Sequence, residues 1–307
     1  MIDKQTGTGN AVSPGPRNPW RIAMDEEVCQ VSSELYTEHD YGSSSKPMIN
    51  PKNTVSKFKF KYPPPPPKVD SDGDLIVRRK KKNVREKLGV IEIEHSKSTV
   101  LDLVGLQIWR GALLLADWLL YNRETFKEGH YILELGSGVG LSSIVAAMFT
   151  PVFCTDINKG GLLKLIKGNA LRNSHLTKHP ITVLELDFLS QVLPREIVAT
   201  LEKTPIVIAA DVVYDNVITQ AFVRTMGHLL SKPPKRSIYV ALEKRFVFTI
   251  ADCDAVAPCY EYFVECLQKL ENIEMEEVPL DFPQYFQYDR VKELVLWKIS
   301  STFEDEI

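Results

Sequence analysis

Glu134, Gly136, Gly138 and Gly140 fall within seven residues, between the apolar run Tyr131-Ile-Leu133 and a second one from Leu141 to Met148. Alternating glycines between a strand-like and a helix-like run predict a strand-to-helix turn. Glycine permits the sharp bend and lets backbone approach a ligand, while the next helix offers free N–H groups. The spacing decides between ligands. A dinucleotide fingerprint has its third glycine three residues after the second, and here it follows after two. A phosphate-cradling loop needs Gly-Lys-Ser/Thr, which does not follow.

From Tyr131 onward the chain alternates. Strand-like runs at 131–135, 152–157, 181–187, 205–211 and 237–242 are separated by helix-like stretches near 141–149, 160–172, 192–202, 217–230 and 259–270. This predicts an α/β chain with right-handed crossovers and a parallel sheet covered on both faces. Ile273 to Leu280 and Glu293 to Ile299 end the pattern, joined by a loop with Pro283 and no helix. If such strands pair, they run antiparallel.

Upstream, residues 1–73 are rich in Gly, Pro, Ser, Asn and Lys, include the run Pro63 to Pro67, and read as a disordered head. The proline run is a stiff spacer or a ligand for an aromatic groove. The folded part is expected over 74–303: a β extension and helix over 74–122, then a cofactor-binding core over 123–303. Asp74-Leu-Ile-Val77 and Val90-Ile-Glu-Ile-Glu94 read as the extension's strands, and Leu113 to Tyr121 as a buried helix. Arg78-Arg-Lys-Lys-Lys82 is a solvated linker, a nuclear-import signal or a patch for acidic partners.

Net charge is −3, so no global basic footprint for nucleic acid exists. The five cysteines contain no C-x-x-C pair and the six histidines no metal-binding spacing, so the expectation is reduced thiols and no metal. Without an apolar leader or an uninterrupted apolar run of about 18 residues, secretion and membrane spanning are not expected. Nucleus and cytoplasm are the expected compartments, the nucleus favoured by the basic run.

Asp156 stands twenty residues after Gly136, at the tip of the second strand, where it either caps the next helix or accepts hydrogen bonds from two ribose hydroxyls. Asp187 and Phe188, at the third strand's tip, offer a carboxylate for an adenine amino group and a ring for its face, with capping again the alternative. Ala209-Ala210-Asp211-Val-Val-Tyr214 follows the fourth strand; its small residues leave room, and Asp211 and Tyr214 face one cleft.

The glutamate before three alternating glycines resembles motif I of the S-adenosylmethionine-dependent methyltransferases. With Asp-x-x-Tyr after the fourth strand and Trp109 in Gly105-Leu-Gln-Ile-Trp109-Arg-Gly-Ala, residues 88 to 300 resemble family 16 of the seven-β-strand methyltransferases. That family consists largely of protein-lysine methyltransferases acting on non-histone proteins. The resemblance implies a Rossmann-like seven-stranded sheet, mostly parallel with an antiparallel C-terminal strand, behind a small N-terminal β extension. It implies S-adenosyl-L-methionine as cofactor, a protein substrate presenting a lysine, and no direct nucleic-acid binding. Carried over by motif, Glu134, Gly136, Ser137, Gly138 and Gly140 hold the methionine end and Asp156 with Ile157 the ribose. Asp187 and Phe188 flank the adenine, where relatives usually carry Trp in place of Phe188. Trp109 and Ala210 complete the cofactor site, and Asp211 with Tyr214 lines the lysine channel. Two other readings stay open: a methyltransferase for nucleic acid or a small molecule, and a binding module that keeps cofactor as a structural ligand. The Asn/Asp-Pro-Pro-Tyr/Phe loop common in base methylation is absent; Asp211-Val-Val-Tyr214 takes its place.

Overall fold

In the computed structural model, which describes residues 30–65, 72, 87–190, 192–249 and 254–303, the apolar runs after Tyr131 become strands of one sheet. Among the strands that precede it are β1 (Thr54–Lys61) and β2 (Leu88–His95). The sheet strands are β3 (Ile132–Leu135), β4 (Val152–Asp156), β5 (Ile181–Glu185), β6 (Ile206–Ala210), β7 (Ser237–Glu243), β8 (Ile273–Glu277) and β9 (Leu294–Ser301). Their order is β8-β9-β7-β6-β3-β4-β5. Strands β3 to β7 are parallel, and β9 runs antiparallel to both β7 and β8, as two strands without a crossover helix must.

All four residues of β3 are buried, because helices cover both sheet faces. One face packs α1 (Arg110–Tyr121), α2 (Leu141–Ala146) and α3 (Leu162–Arg172); the other packs α4 (Asn216–Leu230) and α5 (Pro258–Leu267). The chain winds from β3 toward β4 and β5, then returns to place β6 on the other side of β3. That reversal opens a crevice beyond the strand ends, the usual ligand position in such sheets.

The expected helix near 192–202 is only a turn, Arg195–Val198, followed by the 3-10 turn Leu201–Lys203. Pro194 starts it, and the Thr200 hydroxyl donates back to the Ile197 carbonyl at 2.7 Å, competing with continuation. The apolar stretch Leu101–Tyr121 is not one helix either. A 3-10 helix spans Leu101–Leu106, Gln107 and Trp109 are extended, and α1 then runs through the core with ten of its residues buried.

Residues 30–65 correct the expectation of a structureless head. β1 pairs antiparallel with all eight residues of β2, burying Phe58 and Phe60 against the main core while Lys59 and Lys61 stay exposed. This is the period of a half-buried strand. The free edge of β2 is satisfied by α3: Asn169 and Asn173 each accept from and donate to its backbone, with distances from 2.8 to 3.0 Å. The β extension therefore exists, but with β1 as partner. Asp74 to Val77 and the run Arg78 to Lys82 lie outside the described residues, as do residues 1–29.

The connection from β8 to β9 is pinned by Asp117 of α1. Its carboxylate, fully buried, accepts the N–H groups of Tyr285 and Phe286, the Tyr288 hydroxyl and the Arg290 guanidinium at 2.7–3.0 Å. Four donors offset the cost of removing one charge from water.

Candidate active site

Beyond Leu135 the backbone turns through Gly136, Gly138 and Gly140 at φ of 64°, 54° and 87°, the left-handed region that side chains disfavour. A Cβ on Gly136 would stand 2.6 Å from Val212, and one on Gly138 3.1 Å from the Gly105 carbonyl oxygen. Gly136 and Gly138 form one wall of a cavity of about 430 Å³, a size suited to a small organic ligand. Gly140 does not line it. A Cβ added to Gly140 would meet Ile166 of α3 at 3.3 Å, so this glycine lets α3 pack against the turn.

Asp156 ends β4. Its Oδ2 accepts the Gly138 N–H and its Oδ1 the Ile157 N–H, both at 2.7 Å. Burial pushes the carboxyl up to about 6. Glu134, 1% exposed, accepts the Ser143 hydroxyl. Burial pushes it up to about 8, with Asp156 adding to the rise and the Ser143 and Ser142 hydroxyls opposing it. A buried and a half-buried carboxyl on one cavity favour a ligand that brings donors or positive charge. An amino-acid ammonium and ribose hydroxyls are such donors, so the residues present fit S-adenosyl-L-methionine.

The cavity wall also carries a hydroxyl, apolar groups and a further acid. Ser137 lines the cavity and donates its hydroxyl to the Thr155 carbonyl at 3.0 Å, while Ile157 and Ala210 add apolar wall. Asp187 accepts the Leu189 N–H at 2.8 Å, closing a turn and capping no helix, at a position that also lines the cavity. Phe188 is held against Phe222, ring centroids 5.3 Å apart, and its ring edge faces the Gly136 turn.

Trp109, Asp211 and Tyr214 also line the cavity. Asp211 has φ 51°, and its carboxylate accepts the Gly111 N–H at 2.6 Å and the Glu243 N–H at 3.2 Å. It thus caps the N-terminus of α1, where backbone dipoles favour negative charge. Burial pushes it up to about 6, opposed by the Arg245 charge. Its hydrogen-bond partners are thus backbone N–H groups, and among the described residues it makes no hydrogen bond to Tyr214. The Tyr214 hydroxyl is pushed up to about 12, first by burial and then by the nearby Asp156. Trp109 donates its indole N–H to the Val104 carbonyl at 3.1 Å, and the Arg245 guanidinium lies 4.8 Å from its ring centroid.

Sequence reasoning missed three contributors. The 3-10 turn Leu101–Leu106 forms one cavity wall, and Ser142 lies beneath the glycine turn. Gln107, buried, ties that wall to the N-terminal segment by accepting the Ser33 N–H and donating to the Val31 carbonyl and the Thr99 hydroxyl. No local pattern marks such contacts. Away from the cavity, Glu38, His39 and Asp289 bring metal-type atoms within 4.8 Å of one another, yet Glu38 already pairs with Arg110 and His39 with Asp289.

A family model described as lysine methyltransferase matches residues 90–256, over half of the chain. Methyltransferase-like protein 22 of Mus musculus is 38% identical over 233 residues, covering 68% of this chain and 59% of that protein. Its Homo sapiens counterpart is 37% identical, covering 68% and 57%. Protein-lysine N-methyltransferase EEF2KMT of Mus musculus is 31% identical over 211 residues, 64% of this chain and 58% of that one. The chain spans less than two thirds of the length of each. The match of residues 90–256, which contain the glycine turn and Asp211-Val-Val-Tyr214, places the chain in the lysine methyltransferase family.

Proposed function

We propose that this chain is an S-adenosyl-L-methionine-dependent protein-lysine N-methyltransferase acting on a non-histone protein. One observation carries the reading: a single cavity is lined both by Trp109, Glu134 and Asp156 and by Asp211 and Tyr214. The first three suit the cofactor and the last two a lysine side chain.

When bound, the cofactor supplies a methyl group activated by its sulfonium. Glu134 receives the ammonium of its amino-acid end, Asp156 its ribose hydroxyls, and Asp187 with Phe188 its adenine. A free lysine has a pKa near 10.4, so only about one in a thousand is neutral at physiological pH. Val212 and Ile218 on the cavity wall disfavour the charged form by desolvation. Asp211, fixed by two backbone N–H groups, attracts the incoming ammonium. Tyr214 stays a neutral hydroxyl at physiological pH, so its oxygen accepts an amine N–H and turns the lone pair toward the methyl group. Aromatic faces favour a methylated cation by about 0.5–2 kcal/mol, compatible with repeated transfer.

Labelled S-adenosylmethionine incubated with the protein and a nuclease-treated cell extract tests the reading. Label in a protein band, lost in Gly138→Arg, is the expected result. Label that requires restored RNA or DNA assigns the activity to nucleic acid, and cofactor binding without transfer assigns the chain to the binding modules. Residence in nucleus and cytoplasm, with import or acidic-partner contact through Arg78 to Lys82, is also proposed. Neutral residues across that run are expected to leave the chain in the cytoplasm.

A further inference from the structure

Five charged side chains meet beside Trp109 and Asp211, and two come from the N-terminal segment. Arg245, just past β7, donates to Glu34 at 2.8 Å and lies 3.7 Å from Glu243. Arg110, the first residue of α1, donates to Glu243 at 2.6 Å and pairs with Glu38. Glu34 and Glu38 belong to a segment anchored by a buried side chain, Leu35, and by the Tyr36 hydroxyl, which accepts the Ile108 N–H at 2.9 Å. The segment therefore does not rest on ion pairs alone.

The cluster touches the site through Arg245. Its guanidinium covers the Trp109 ring, and its charge acts on Asp211, which Trp109 accompanies on the cavity wall. Planar guanidinium suits both contacts at once: it stacks on an indole face while its N–H fork pairs with carboxylates in its own plane. Side-chain exposure of 37% for Arg245 and 40% for Glu34 puts this contact at the protein surface.

We propose that Arg245 is a positioning residue for the acceptor lysine, and that Glu34 of the N-terminal segment holds it over Trp109. The inference rests on the reading of Asp211 and Tyr214 as the acceptor end. Residues 30–38 then belong to the working site although they precede the sheet by about a hundred residues. Through Arg245 they act on Trp109 and on the field at Asp211; among the described residues no hydrogen bond or ion pair joins them to the glycine turn or Asp156.

The test separates acceptor from donor. Arg245→Gln, Arg245→Lys and Glu34→Gln are compared with the unaltered chain for S-adenosylhomocysteine affinity by calorimetry. Lysine labelling is then followed as the concentration of nuclease-treated extract protein is raised. Expected for Arg245→Gln is an affinity within about twofold of the original and an initial labelling slope, proportional to kcat/KM, reduced about tenfold. Glu34→Gln shows the same split to a smaller extent, and Arg245→Lys recovers only part because an ammonium has no planar face. An unchanged slope in Arg245→Gln, or a loss of cofactor affinity as large as the loss in slope, overturns the assignment. If the unaltered chain binds cofactor yet labels no lysine, the underlying reading fails and the inference falls with it.

Discussion

The Oδ2 atom of Asp211 accepts the amide N–H of Gly111 at 2.6 Å, which fastens the end of β6 to the first turn of α1. A Cβ on Gly111 would lie 2.5 Å from that oxygen, so only glycine allows the approach. Gly111→Ala is expected to displace the carboxylate. Steady-state kinetics should show kcat reduced about 10- to 100-fold, with cofactor affinity changed by less than about threefold.

Gly138 and Gly140 look alike in sequence and differ in the fold. Gly138 lines the cavity beneath the Gly105 carbonyl and donates its N–H to Asp156, whereas Gly140 packs toward Ile166. Gly138→Ala is expected to weaken S-adenosylhomocysteine binding by about tenfold or more. Gly140→Ala should weaken it far less and lower stability by about 1–2 kcal/mol, the usual cost of a left-handed residue with a side chain. Calorimetry and chemical denaturation of both variants check the contrast.

Glu134 and Asp156 predict opposite pH trends for stability and binding. Their folded-state values, about 8 and about 6, lie above the ordinary carboxyl values of 4.5 and 3.8. The folded state thus holds these protons more tightly than the unfolded chain. Their stabilising contribution is complete below the unfolded values and is lost as pH rises through 6 and then 8. The Tm gap between the cofactor-free protein and Glu134→Gln should therefore shift against the unaltered chain as pH rises from 5 to 8.5. Binding needs the charged carboxylates, so S-adenosylhomocysteine affinity should rise over the same window. Calorimetry near pH 7 in buffers of different ionisation heat should detect proton release.

Phe60 tests whether the N-terminal hairpin belongs to the folded body. It is 1% exposed, and its ring stacks on Phe286 at 5.1 Å. Phe60→Ala should cost about 3–5 kcal/mol in denaturant unfolding. A cost near zero would make the hairpin an appendage.

The parallel sheet was legible because each strand is a short apolar run between helix-like stretches, a local signal. The terminal antiparallel pair was legible for the same reason, since no helix intervenes between the last two runs. β1 was not recognised, although Phe58 and Phe60 alternate with Lys57, Lys59 and Lys61. Its neighbours are turn-forming residues and a proline run, and its partner β2 begins 27 residues after Lys61 ends it. At the site, residue types that carry their own geometry were readable, such as the glycines and the acids ending β4 and β6. What Asp211 touches was not, because Gly111 lies 100 residues earlier and meets it only through the fold. Arg245 and Glu34 are 211 residues apart, and neither stands in a pattern that marks it.

The central claim is that the chain moves a methyl group from S-adenosylmethionine to the side-chain nitrogen of a protein lysine. Total hydrolysis of the labelled protein band, followed by amino-acid analysis, tests it most directly. The account predicts label in Nε-methylated lysine, absent when Gly138→Arg replaces the original chain. Label recovered in any other amino acid, or label that persists with Gly138→Arg, would contradict it.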